Sequence, residues 1–224
     1  MAAELTIPKG VIFDWDNTLV NTWPLIHNAL YETFRKYGVP PWTLEETKER
    51  VAHSLRDSFP KLFGEQWETA GKDYQEFYQR DHLEKLETLP LSEDVLRFLK
   101  DKGVYLAVVS NKKGHNLRKE AEYLGWSKYF DKLVGSDDAE RDKPHAAAVE
   151  LALEGSGLQA GDEIWFVGDA TVDLECAKNT GCVPILYGEV VAERRGGKWH
   201  YRGFDAHYHA ADHQDLLNMF KRKL

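Results

Sequence analysis

Residues 10–18 read Gly-Val-Ile-Phe-Asp-Trp-Asp-Asn-Thr, an apolar run that ends in two aspartates one residue apart. The run suits a strand buried on both faces. Side chains at i and i+2 of a strand share a face. Asp14 and Asp16 would then lie side by side, and like charges that close repel. A solvated turn accounts for one acid at a strand end. Two on one face call for something positive that the sequence does not supply, most simply a metal ion.

Similar apolar runs recur at 104–110, 132–135, 163–169 and 183–187, with helical stretches between them at 92–102, 113–124, 144–154 and 172–180. Ser92 is the expected N-cap of the first, and Pro144 the expected opening residue of the third. Strand alternating with helix predicts an α/β fold with a doubly wound, mostly parallel sheet. Residues 21–89 break the rhythm. They hold helical patterns at 25–37, 44–52 and 66–86, punctuated by Pro40-Pro41, Pro60 and Gly64. The expected organisation is a core of 1–20 and 90–224 with a helical insert at 21–89. Near the end, 193–204 reads as a hairpin, 204–209 as a further strand, and Asp212 as the cap of a last helix through Lys223.

The 224 residues carry a net charge of −8, from 37 acidic and 29 basic side chains. A nucleic-acid partner would want a basic surface, so the acidic balance disfavours that class. No apolar run approaches the ~20 residues needed to span a membrane, and the first ten residues hold no apolar signal segment. Cys176 and Cys182 lack a zinc-site pattern and read as reduced thiols of a cytoplasmic protein. His207, His209 and His213 fit no common metal spacing. The tryptophans and tyrosines read as packing residues.

In a doubly wound sheet ligands bind beyond the C-terminal strand ends. Asp14, Asp16, Ser110, Asp169 and the nearby Lys143 would converge there. A magnesium-type cation wants oxygen ligands, which Asp14, Asp16 and Asp169 can provide. Asp173, one helical turn beyond Asp169, can orient Lys143 or a water. A phosphate needs donors: the hydroxyls of Ser110 and Thr18, and the amides of Asn111 and Lys112 if they open a helix. Lys143 offers a fixed cation for transition-state charge. One carboxylate can attack phosphorus, and its neighbour can move the protons.

The pattern resembles the haloacid-dehalogenase-like superfamily of phosphotransferases, whose four motifs stand here in order as Asp14-Trp-Asp16-Asn-Thr18, Ser110, Lys143 and Gly168-Asp169-x-x-x-Asp173. The resemblance spans residues 10–181, and the insert falls where that family carries its helical cap. It implies Asp14 as nucleophile and Asp16 as general acid/base. It implies a magnesium ion held by Asp14, the carbonyl of Asp16 and Asp169, with Ser110 and Lys143 on the phosphate and Asp173 supporting them. Asn17 replaces the usual Gly, and Asn tolerates a left-handed backbone. Ala170 replaces a usual Ser or Thr.

Asn21-Thr22-Trp23-Pro24 and Ser110-Asn111-Lys112 partly resemble the phosphoglycolate-phosphatase-like branch, whose cap loop, here 55–62, implies an Arg that can face the active site, here Arg56. The expected function is a magnesium-dependent phosphatase acting on a small phosphorylated metabolite. The alternative is a sugar phosphomutase, which would carry a His where this chain has Ile26, with His27 beside it. A dehalogenase would lack the second Asp, and a phosphorylation-switch receiver would be far shorter, with no insert.

Overall fold

The computed structural model describes residues 7–51 and 55–224, the side chains of 55–57 excepted. Two compact units emerge, Met1–Val20 with Thr88–Leu224 and, separately, Asn21–Glu87.

The first unit is built on six parallel strands. They are β1 (Gly10–Phe13), β4 (Tyr105–Val109), β5 (Lys132–Val134), β6 (Ile164–Gly168), β7 (Val183–Tyr187) and β11 (Tyr208–Ala210). Their order is β11-β7-β6-β1-β4-β5. Two short strands, β2 (Val20–Asn21) and β3 (Glu87–Thr88), pair where the chain leaves this unit and returns. The helices are α5 (Ser92–Asp101), α6 (Gly114–Tyr123), α7 (Ala147–Leu153), α8 (Thr171–Thr180) and α9 (His213–Lys223). Alternate strand residues face opposite ways. Phe166 packs in one cluster with Val149 of α7 and Cys176 of α8, while Trp165 stacks on Phe220 of α9 at 5.7 Å. With both faces covered, Val11, Ile12, Phe13, Leu106, Val108, Trp165 and Val167 are fully buried, each worth about 1.5–3 kcal/mol of transfer free energy.

Register positions the site. Phe13 pairs with Val108 on one side and Val167 on the other. Asp14, Ser110 and Asp169 therefore leave the sheet at one C-terminal edge.

Local chemistry moves several expected boundaries. Ser92 is the first helical residue, not the cap. Leu91 holds that position at φ 62°, and the Ser92 hydroxyl donates back to Leu89 O at 2.8 Å. The helix expected from Pro144 starts at Ala147, because the preceding backbone is already engaged in a turn, His145 N donating to Asp142 O at 2.9 Å. The helix expected from Lys113 starts at Gly114, so Asn111 and Lys112 lie in the loop before it. The expected hairpin is a three-stranded antiparallel sheet, β8 (Glu193–Arg195), β9 (Lys198–Tyr201) and β10 (Phe204–Ala206). Asp212 caps α9, accepting from Asp215 N at 2.8 Å.

The second unit holds α1 (Trp23–Tyr37), α2 (Leu44–Arg50), α3 (Leu55–Phe63) and α4 (Trp67–Asp81). Its core gathers Leu25, Ile26, Leu30, Phe34, Phe59, Phe63 and Tyr74, with Phe34 edge-on to Trp42 at 4.8 Å. Thr43 and Glu46 form a capping box at the start of α2. The sequence treats Pro60 as punctuation, yet α3 runs through it. Arg56 belongs to α3, and its side chain lies outside the described residues. Among the described residues no helix is long and apolar enough to cross a membrane.

Candidate active site

Asp14 follows β1, Asp169 follows β6 and Asp173 lies in the first turn of α8. One carboxylate oxygen from each falls within 4.8 Å of the others. Lys143 enters from the loop before α7 with only 1% of its side chain exposed. Its Nζ is 2.8 Å from Asp14 Oδ1 and 2.6 Å from Asp173 Oδ1. Burial pushes the Asp14 carboxyl up to about 7 against the lowering pull of Lys143, and the charges of Asp173 and Asp16 add to the rise. Burial also carries Asp169 well above the usual carboxylate range, with Asp173 and Asp14 pushing the same way. Burial alone would lower the Lys143 pKa. Asp14 and Asp173 outweigh it and raise the lysine above its ordinary value.

Three carboxylates thus crowd around one ammonium, and a hard divalent cation with oxygen preference would relieve them. Asp14 Oδ1 is buried, with the Lys143 ammonium at 2.8 Å as its ion-pair partner. Asp173 is already committed: Oδ1 accepts from Lys143 Nζ at 2.6 Å and Oδ2 from Ala170 N at 3.0 Å. The donor set therefore fits a metal on Asp14 and Asp169, with Asp173 orienting the lysine. A Cβ at Gly168 would lie 2.3 Å from Asp173 Cγ, so the glycine of the fourth motif is what lets Asp173 reach in.

The other expected residues are placed as follows. Asn17 sits at φ 59°, the left-handed conformation expected of it. Thr18 is fully buried, and its hydroxyl donates to Asp169 Oδ1 at 3.2 Å. The Asn111 carboxamide clamps the backbone of Lys143, donating to its O at 3.1 Å and accepting from its N at 3.0 Å. Ser110 Oγ accepts from Lys112 N at 3.2 Å, so this amide serves the loop. His209 Nε2 lies 2.8 Å from Gly188 O. His213 Nδ1 lies 2.8 Å from Tyr187 Oη.

Sequence reasoning missed a second buried lysine. Lys112 Nζ lies 2.6 Å from Asp16 Oδ1 and 2.6 Å from Glu120 Oε2. Burial would lower its pKa, but Asp16 and Glu120 more than offset that and raise it. A lysine after a strand and a glutamate eight residues on look like solvated helix charges. Their only sequence signal is the short Ser-Asn-Lys run.

The family model for haloacid dehalogenase-like hydrolases matches residues 11–186. A pyrophosphatase PpaX of Halalkalibacterium halodurans is 29% identical over 93% of this chain and 95% of its own. A phosphoglycolate phosphatase of Aquifex aeolicus is 30% identical over 80% and 84%. In fold, the chain is similar to a haloacid dehalogenase-like hydrolase structure from Bacteroides fragilis, with TM-score 0.84, 20% identity and coverage of 93% of this chain and 99% of that one.

Proposed function

Because the chain belongs to the haloacid dehalogenase-like hydrolase family, we propose that it is a magnesium-dependent phosphatase that cleaves a small phosphorylated metabolite through an aspartyl-phosphate on Asp14. The observation that carries this reading is the meeting of Asp14, Asp169 and Asp173 around Lys143 at the C-terminal sheet edge. Asp16 supports hydrolysis of phosphate esters over dehalogenation.

An Asp14 oxygen attacks phosphorus, and the bond from phosphorus to the ester oxygen breaks. Asp16 gives that oxygen its proton. Asp16 then takes a proton from a water whose oxygen attacks phosphorus, the bond to Asp14 breaks, and inorganic phosphate leaves. Lys143 holds Asp14 in line and offsets charge on the phosphoryl oxygens. Ser110 and the Asn111 amide provide further donors to that group. Magnesium, held by Asp14, Asp169 and the Asp16 carbonyl, would supply charge neutralisation at the phosphoryl group. Ile26, where a phosphomutase would carry its histidine, is buried in the helical unit's own core, and His27 Nδ1 sits 3.0 Å from Thr47 Oγ1. Both placements support the hydrolase over the mutase. Cys176 and Cys182 are free, buried thiols, which supports a reducing, cytoplasmic setting.

The relatives bear phosphoglycolate phosphatase and pyrophosphatase names, so both substrates belong in the test. Phosphate release is measured over a panel of small phosphate esters and inorganic pyrophosphate, with magnesium and with chelator. Magnesium-dependent release, lost in Asp14→Asn, is expected. Release in excess chelator, or in pure Asp14→Asn, overturns the reading.

A further inference from the structure

Glu120 and Lys112 take no part in the chemistry above, yet both are buried charges, with 0% and 5% of their side chains exposed. Such charges are strongly destabilising unless paired, and α6 could have placed an apolar residue at Glu120. What Glu120 Oε2 gathers is informative. It lies 2.6 Å from Lys112 Nζ and accepts from the indole Nε1 of Trp15 at 2.7 Å. Trp15 stands in the chain between Asp14 and Asp16. It is fully buried and edge-packed on Trp126 at 5.9 Å and Phe130 at 6.2 Å. Lys112 carries the contact onward to Asp16 Oδ1 at 2.6 Å. One carboxylate on α6 thus grips the segment that bears Asp16 by its backbone neighbour and, through Lys112, by its charge. A pair needed only to fill the core would not require Asp16 as a third member.

We propose that Glu120 is a positioning residue for the reaction: through Lys112 and Trp15 it sets where the Asp16 carboxylate stands, and thereby how well Asp16 passes its proton to the leaving oxygen. This rests on the reading of Asp16 as general acid/base. Asp16 keeps 19% of its side chain exposed, so it can meet a substrate while held from behind. A general acid must come within hydrogen-bond reach of its target, and a displacement of about 1 Å can cost on the order of a hundredfold in rate.

The test uses leaving groups that do and do not need a proton. With magnesium present, kcat/KM is measured for an alkyl phosphate and for 4-nitrophenyl phosphate. It reports the steps through departure of the leaving group, and 4-nitrophenolate departs unprotonated. Glu120→Gln should lower kcat/KM on the alkyl ester by about tenfold to a hundredfold, and on the aryl ester by no more than about threefold. In an Asp16→Asn background, adding Glu120→Gln should change neither. If Glu120→Gln fails to fold, the double variant Lys112→Met/Glu120→Gln removes both charges, keeps an acceptor for Trp15, and should show the same selective loss. Equal losses on both esters, no loss on either, or a further loss in the Asp16→Asn background would overturn the proposal. If Asp16→Asn itself treats the two esters alike, the assignment of Asp16 fails. If Asp16→Asn is selective and Glu120→Gln is not, only the role of Glu120 fails.

Discussion

Each of two buried lysines is held between two carboxylates, and the short segment Asp14-Trp15-Asp16 contributes one acid to each cluster. Lys143 sits between Asp14 and Asp173, and Lys112 between Asp16 and Glu120. The difference lies in what surrounds them. Around Lys143 a third carboxylate, Asp169, joins the pair, and both Asp14 and Asp169 are driven toward protonation. That cluster sets three carboxylates against one ammonium, a group that could hold a cation. Around Lys112 the charge of Glu120 is cancelled in place, and Asp16 is left partly exposed. The first lysine belongs to a site that needs something added. The second belongs to a support already complete.

The largest test of this contrast is Asp14→Asn, which should cut phosphate release by roughly four orders of magnitude or more, because an amide is a poor nucleophile. The thermal midpoint should hold or rise, since a crowded like charge is gone. Loss of activity together with unfolding would make Asp14 structural. Next comes Asp169→Ala, expected to raise the magnesium concentration for half-maximal rate by about ten- to a hundredfold, while Glu120→Gln leaves it unchanged. A shared shift in a magnesium titration would merge the two clusters into one. Lys143→Met and Lys112→Met each leave buried carboxylates without their cation, at about 3–5 kcal/mol in urea unfolding. Added magnesium should recover part of the Lys143→Met loss and none of the Lys112→Met loss.

The smallest effect involves a buried base held neutral, His213. Burial lowers it from 6.5 to about 4. Between those values the unfolded chain binds more protons, so this group's share of stability is present above pH 6.5 and is lost as pH falls through about 4. Going from pH 8 to pH 5 should cost about 2 kcal/mol through His213. Urea midpoints of His213→Gln should show a correspondingly shallower acid loss. An unchanged slope would mean that His213 does not report burial.

What could be read in advance follows from how local each signal is. The strands were legible because continuous apolar runs such as Val11–Phe13 and Trp165–Val167 are dictated by burial on both faces. Asp14, Ser110 and Asp169 were legible because each directly follows an apolar strand. The start of α7 was not, since Asn111 holds the Lys143 backbone from 32 residues away. Nor was the start of α5, where Leu91 takes a left-handed turn that its residue type does not advertise. Glu120 was illegible for the same reason. Its burial is decided by Trp15, 105 residues distant, and a charge on a helix is read by default as solvated.

Thr18 and Asp169, joined by one hydrogen bond, are 151 residues apart in the chain. This sheet edge therefore has no local nucleus of its own. Its acids come from the ends of strands whose parallel pairing requires long crossovers, a slow route with a large loop-closure cost. Until β6 docks beside β1, Asp14 and Asp169 do not share a site, and their repulsion then works against the final step. Recovery of activity during refolding should consequently lag behind the formation of helix signal, which makes catalysis a late reporter of the completed sheet.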